Sequence, residues 1–117
     1  MGQILVDIIT PLTSSTVTIE QSLVQGQNNI ASGLNSHAEG YYTTAQGQYS
    51  HAGGAATTAI GDYSFVHGLG STAGGSSTIV LGNSITGSLP NTVYVAPLVL
   101  SQYSGTGSVT PTTGMII

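Results

Sequence analysis

Three histidines and four acidic residues are the side chains of this chain that could transfer protons or bind a metal ion. They are His37, His51, His67, Asp7, Glu20, Glu39 and Asp62. The sequence contains the serine, histidine and aspartate residues that a Ser-His-Asp triad needs. It contains no GxSxG motif that would provide a nucleophile elbow. A P-loop is excluded because the chain has no lysine. Since the carboxylates are single and scattered, we expect no catalytic residues and no enzymatic activity.

One glycine-rich segment resembles a cofactor motif. Residues 68–73 (GLGSTA) match a degenerate form of the dinucleotide-binding fingerprint. No helix is predicted after this segment, and Gly68 belongs to a seven-residue period that runs through the chain. We therefore expect no organic cofactor.

The residues that could do chemistry are embedded in a seven-residue repeat that occurs nine times between residues 20 and 82. Each repeat ends in a glycine, and these turn glycines are Gly26, Gly33, Gly40, Gly47, Gly54, Gly61, Gly68, Gly75 and Gly82. Two positions before each glycine lies alanine or valine, and two positions before that lies serine, threonine or asparagine. A short fixed period of this kind is typical of a solenoid.

The composition of the repeat favours strands over helices. A glycine in every repeat would cost a helix about 1 kcal/mol each time, whereas a short strand followed by a glycine-assisted turn fits the repeat. Side chains alternate along a strand, so the small polar and small apolar positions share one face. We expect that uniform face to form a thin interior, while the variable positions between them face outwards.

The outward positions indicate how many strands make one coil. At a spacing of fourteen, one column contains Leu23, His37, His51, Phe65 and Ile79, and a second contains Ile30, Thr44, Thr58 and Thr72. A spacing of twenty-one would mix these residues and leaves no pattern. The sequence therefore predicts an all-β fold, a parallel β-roll solenoid whose 14-residue coils contain two 7-residue strand-turn units each.

Several repeats also carry a family resemblance, most clearly residues 36–40 (SHAEG), 50–54 (SHAGG) and 78–82 (TIVLG). They resemble the head repeats of trimeric autotransporter adhesins, which also occur in bacteriophage tail fibres. The resemblance implies a left-handed parallel β-roll, with three chains packed about a threefold axis as a trimeric fibre. It also implies a function, a structural fibre or spike segment of a bacteriophage virion that takes part in host-surface attachment. The alternative is the head of a bacterial trimeric surface adhesin.

Three regions are predicted along the chain. Residues 1–19 form an N-terminal cap or docking segment with short strands, residues 20–82 the β-roll, and residues 83–117 an extended C-terminal β segment and tail. Residues 1–19 lack the basic start of a signal peptide, and no stretch reaches the length of a transmembrane helix. These features favour a virion over the bacterial cell surface as the location.

The chain contains no lysine, no arginine and no cysteine. Without cationic side chains to neutralise phosphates, we expect no nucleic-acid partner and no insertion into, or binding to, membranes. The resemblance implies three kinds of partner: further copies of the chain in a homotrimer, other virion or surface-fibre subunits, and a host-surface receptor that is either a glycan or a protein.

The more apolar outward face is predicted to face the threefold axis. The residues of this predicted trimer interface are Leu23, His37, His51, Phe65, His67, Ile79 and Leu81. Symmetry would then bring His37, Glu39 and His51 close to the axis as rings. Two interpretations of these rings stay open. One is a hydrogen-bonded polar layer that fixes register, and the other is an axial metal ion or anion held by imidazole and carboxylate groups.

Two further outward features offer contacts. Tyr41, Tyr42, Tyr49 and Tyr63 are predicted at the rims of the roll, where they contact either a receptor or the neighbouring protomer. Thr44, Thr58 and Thr72 form a regular column of the kind that an ice-binding solenoid uses. Threonine is also common in strands for packing reasons alone, so ice binding is the weaker alternative.

Overall fold

The computed structural model describes residues 19–97, which form an all-β parallel solenoid. Its long strands are β1 (Leu23–Gln27), β3 (His37–Tyr41), β5 (His51–Ala55), β7 (Phe65–Leu69), β9 (Ile79–Asn83) and the three-residue β11 (Val93–Val95). Its short strands are β2 (Ile30–Ala31), β4 (Thr44–Ala45), β6 (Thr58–Ala59), β8 (Thr72–Ala73) and β10 (Thr86–Gly87). The predicted N-terminal segment, except Ile19, and the tail beyond residue 97 lie outside the described residues.

The strands alternate between two parallel sheets, so each coil contributes one long and one short strand. The long strands are ordered β1-β3-β5-β7-β9-β11, and the short strands are ordered β2-β4-β6-β8-β10. Each residue pairs with the residue fourteen positions later, as Leu23 does with His37 and Thr44 with Thr58. The predicted 14-residue coil with two strand-turn units is therefore confirmed.

The interior is made of the two uniform positions of the repeat. Seven alanine and valine side chains are fully buried: Ala38, Ala45, Ala52, Ala59, Val66, Ala73 and Val80. The small polar positions beside them are buried as well: Ser36, Thr43, Ser50, Thr57, Ser64, Ser71 and Thr78. Two sheets can approach closely because these side chains are small, and the thin interior predicted from the sequence is confirmed.

The buried hydroxyl groups are satisfied by the backbone of the turns. Ser36, Ser50 and Ser64 each donate a hydrogen bond of 2.6–2.7 Å to the carbonyl oxygen of the glycine three residues earlier. Within residues 19–97, every buried side-chain nitrogen or oxygen atom has a hydrogen-bond partner. A short polar residue is therefore suited to this position because a buried turn carbonyl without a partner would cost stability.

The chain turns at residues in the left-handed conformation, and these lie two positions after each repeat glycine. One series follows the long strands and comprises Asn28, Tyr42, Ala56, Gly70 and Ser84. The other follows the short strands and comprises Asn35, Tyr49, Tyr63 and Ser77, and it is continued by Asn91, which lies two positions after Leu89 instead of after a glycine. The seven-residue repeat predicts the turn at the glycine itself, whereas the left-handed turn residue is the second residue after it.

The repeat glycines instead serve two structural roles. Gly54 lies inside β5 with φ of 95°, and Gly47 lies in the turn after β4 without a positive φ. A Cβ atom at either residue would overlap the carbonyl oxygen of the glycine in the next coil, Gly68 or Gly61. Close approach of neighbouring coils is therefore the reason for glycine in the turn after each short strand, and positive φ adds a second reason in the long strands.

The stacked strands continue beyond Gly82, where the predicted roll ended. Thr86 pairs with Thr72, and β11 pairs with β9 in parallel. Tyr94 occupies the inward position of β11 opposite Val80, and its hydroxyl accepts a hydrogen bond of 3.1 Å from the Leu89 amide. Gly87 makes room for the Tyr94 ring, since a Cβ there would lie 2.5 Å from the ring. A large residue paired with a glycine thus replaces the small pair of the regular repeat.

Candidate functional site

The outward face of the long-strand sheet, here called the histidine face, consists of two columns of side chains. The first column is Leu23, His37, His51, Phe65, Ile79 and Val93, and the second is Gln25, Glu39, Gly53, His67, Leu81 and Val95. All seven residues of the predicted trimer interface lie in these columns. The structure therefore brings them onto one continuous surface, and whether that surface contacts other chains stays a prediction.

Aromatic contacts run along the first column. The rings of His37 and His51 meet edge to face with centroids 4.8 Å apart. The rings of His51 and Phe65 are stacked, with centroids 4.7 Å apart and planes at 18°. These contacts follow from the parallel register, which places equivalent residues of successive coils beside each other. They hold the His51 ring in a defined position between its two neighbours.

Three possible metal-ligating side chains converge across the two columns. Glu39, His51 and His67 each offer a ligand atom, and these atoms all lie within 4.8 Å of one another. The shortest separation, 3.2 Å, joins His51 Nε2 to Glu39 Oε1. Gly53 lies between Glu39 and His67 in the second column, so no side chain separates them. We call Glu39, His51 and His67 the His-Glu cluster.

The His-Glu cluster differs from the set predicted from the sequence, which was His37, Glu39 and His51. His37 Nε2 is instead 2.6 Å from the side-chain oxygen of Gln25, in the coil before it. His67 takes its place in the cluster. The sequence contains a signal for this, because His67 is twenty-eight residues, or two coils, after Glu39 and therefore lies in the same column. Gly53 lies halfway between them in the sequence, fourteen residues from each, and a glycine at that place in the column leaves room for Glu39 and His67 to approach each other.

The electrostatic environment of His51 favours its neutral form. Partial burial among neighbouring side chains lowers the pKa of His51 below its usual value of 6.5, and the nearby His37 and His67 act in the same direction. Glu39 opposes the shift through its charge and its hydrogen bond to the ring. Because burial is the largest effect, the pKa of His51 stays below its usual value despite the carboxylate.

The outward face of the short-strand sheet carries the threonine column. Thr44, Thr58 and Thr72 pair in register, and Thr86 of β10 adds a rung that the sequence analysis did not include. This face contains no titratable side chain in the column, in contrast to the histidine face. The threonines present hydroxyl and methyl groups, and Ile30, which pairs with Thr44, is the exposed apolar residue at the start of the column.

The four candidate receptor-contact tyrosines form two pairs, and all four are about half exposed or more. Tyr41 ends β3 and packs edge to face against Tyr42 in the following turn, with centroids 4.5 Å apart. Tyr49 and Tyr63 stack at 5.3 Å in the turns that follow the short strands. The two pairs therefore lie on opposite rims of the roll.

Comparisons of the chain with protein-family models, with curated proteins and with solved structures found no match. Within residues 19–97, no helix is long and apolar enough to cross a membrane, and no pocket was found. Any functional proposal therefore depends on the two outward faces, the rims and the resemblance of the repeats.

Proposed function

We propose that this chain is a structural segment of a trimeric fibre or spike of a bacteriophage virion and that it takes part in host-surface attachment. The observation that carries this proposal is the histidine face, an outward surface with aromatic and aliphatic side chains on a roll with a very small interior. The resemblance of the repeats to trimeric adhesin heads and phage tail fibres supports the same assignment. In this proposal the chain has a structural role and no enzymatic one.

The size of the interior favours assembly. Seven alanine and valine side chains form the fully buried core, and fully burying a larger apolar residue contributes more to stability than burying alanine. Meanwhile Ile79, Leu81 and Val93 of the histidine face are 38%, 42% and 56% exposed. Covering this face with other copies of the chain would remove from water the apolar surface that one roll leaves exposed.

Charge does not oppose such packing. Glu39 is the only acidic residue in the two columns, and it lies 3.2 Å from His51. Neither column contains lysine or arginine, because the chain has none. Three copies of the histidine face can therefore approach each other at neutral pH without a large like-charge penalty. The threonine column then faces away from the threefold axis.

The attachment part of the proposal concerns the rims. Tyr41, Tyr42, Tyr49 and Tyr63 present apolar ring faces with polar tips, a combination that suits contacts with glycans or proteins. The proposed partners are the other copies of the chain, further virion subunits and a host-surface receptor. The head of a bacterial trimeric surface adhesin, located on the cell surface, is the alternative and would use the same surfaces.

Two measurements test the proposal: the mass of the assembly in solution and the location of the chain on phage particles or cells. Sedimentation equilibrium of the full chain should give three times 11.7 kDa, about 35 kDa, and a monomer at micromolar concentration would contradict the trimer. Immunogold electron microscopy with antibodies against the chain should label the fibres or spikes of phage particles. Labelling of bacterial cell surfaces would support the adhesin alternative, and labelling of neither would overturn both.

A further inference from the structure

We propose that Glu39, His51 and His67 form a binding site for a divalent transition-metal ion on the histidine face. The site goes beyond the structural role proposed above, and its three donors come from a single chain. It differs from the axial ring considered in the sequence analysis, which required residues of three protomers. Binding at this site therefore does not depend on trimer formation.

The donor types suit a first-row transition metal. Two imidazole nitrogens and one carboxylate oxygen are a donor set that zinc and related ions accept readily. Hard cations such as Ca²⁺ and Mg²⁺ prefer oxygen donors and would be disfavoured by the two imidazoles. Three protein donors also leave at least one coordination position open for water or a further ligand.

The distances are close to those of a bound ion. Zinc holds nitrogen and oxygen donors at about 2.0–2.2 Å, so tetrahedral donors lie roughly 3.4 Å apart. Glu39 Oε1 and His51 Nε2 are already 3.2 Å apart. The largest separation in the cluster is within 4.8 Å. His67 is exposed, so its side chain has room to rotate towards the other two donors.

Gly53 provides the space in which the three donor side chains come together, and this is the main structural argument for a binding site. Position 53 of β5 lies between Glu39 and His67 in the second column. Any residue other than glycine there would place a side chain between these two donors. A Cβ at Gly53 would lie 2.7 Å from His67 Nδ1 and 3.2 Å from His51 Nε2. The gap in the column thus lets donors from β3, β5 and β7 converge on one point.

The ring contacts add rigidity on one side of the site. His51 is held between His37 and Phe65 at 4.8 and 4.7 Å. A donor whose orientation is already restricted loses less conformational freedom when it binds an ion. Glu39 and His67 then close around the fixed His51 ring.

Zinc binding to the full chain tests the proposal. Chelator-treated and dialysed protein is titrated with ZnCl₂ by isothermal calorimetry, and we expect one ion per chain. His67→Gln should weaken the affinity at least tenfold, because one donor of three is lost. His37→Gln is the comparison variant, because it removes no donor and takes away only the edge-to-face contact of His37 with the His51 ring. It should weaken the affinity by less than His67→Gln does.

Gly53→Ala provides a second variant that retains all three donors. The added methyl group should displace the His67 ring and weaken zinc binding severalfold, while circular dichroism reports whether the strands are intact. Absence of saturable zinc binding by the unmodified chain would overturn the proposal. Equal losses in His67→Gln and His37→Gln would overturn it as well, since they would indicate general binding to surface histidines.

Discussion

At the residue scale, six of the ten left-handed turn residues within residues 19–97 are of types that seldom adopt this conformation. Asn28, Asn35 and Asn91 are suited to it, and Gly70 has no restriction. Alanine, serine and tyrosine occupy the equivalent position in other coils, and an L-residue pays roughly 1–2 kcal/mol there. The repeated stacking of coils imposes the conformation, because each turn residue from Tyr42 onwards donates its amide to a carbonyl in the preceding coil, as Ala56 does to Tyr41.

Ala56 allows a direct measurement of this cost. Its φ is 54° and its methyl group is exposed, so Ala56→Gly relieves the strain without creating a cavity. We expect the free energy of unfolding to rise by about 0.5–1 kcal/mol, after the entropic cost of glycine is subtracted. Urea denaturation of the two proteins gives this difference.

Ala55→Gly is the control for that experiment. Ala55 is the neighbouring residue, ends β5 and has no positive φ, so the same change should destabilise by about 0.5–1 kcal/mol. If both variants lose stability equally, the left-handed conformation of Ala56 does not contribute measurable strain.

At the element scale, each coil is held at a fixed distance from the next by the glycines of the turns that follow the short strands. Gly33, Gly47 and Gly61 each lie directly against the carbonyl group of the glycine in the next coil. A solenoid is coupled through nearest neighbours. A side chain at one such position therefore disturbs the pairing of two coils, and both sheets are affected.

Gly47→Ala tests this spacing role. The new Cβ would overlap the Gly61 carbonyl oxygen, and we expect this steric clash to lower the free energy of unfolding by about 1–3 kcal/mol. Gly74→Ala is the matched control because a Cβ there would lie 3.4 Å from the nearest atom, an ordinary contact. That change should be neutral or stabilise by a few tenths of a kcal/mol, since alanine restricts the unfolded chain. Equal melting temperatures for the two variants would contradict the role assigned to Gly47.

At the scale of the whole molecule, the two outward faces differ in chemistry although they are built from the same repeat. The histidine face has aromatic and aliphatic side chains along both columns, and the outward face of the short-strand sheet, here called the threonine face, has the threonine column with Ile30 at its start. A chain with no lysine or arginine has few charges with which to keep copies of itself apart. Assembly through the histidine face, with the threonine column exposed, is the arrangement we propose.

Two aspartate substitutions at strand positions of similar partial burial distinguish the faces. Phe65→Asp places a carboxylate beside His51 on the histidine face, where Phe65 now stacks at 4.7 Å. It should dissociate the proposed trimer, because three carboxylates would be brought together away from water. Thr58→Asp makes the equivalent change on the threonine face and should leave the oligomer intact. Sedimentation velocity measures the oligomeric state of both variants. A stable Phe65→Asp trimer would show that the histidine face does not mediate assembly.

The seven-residue period determined the all-β class and the buried positions, and the outward columns at a spacing of fourteen determined the length of the coil and the register. These features follow from local rules, since alternation along a strand decides which side chains point inwards. The tertiary structure decided where the stacked strands continue, because backbone pairing tolerates Gly87 and Tyr94 in place of the regular small pair. It also placed His67 rather than His37 beside Glu39 and His51. Which histidine joins the cluster depends on the orientations of the rings and on the gap that Gly53 leaves in the second column. Both are decided by contacts between neighbouring coils, and the order of residues within a single coil does not reveal them.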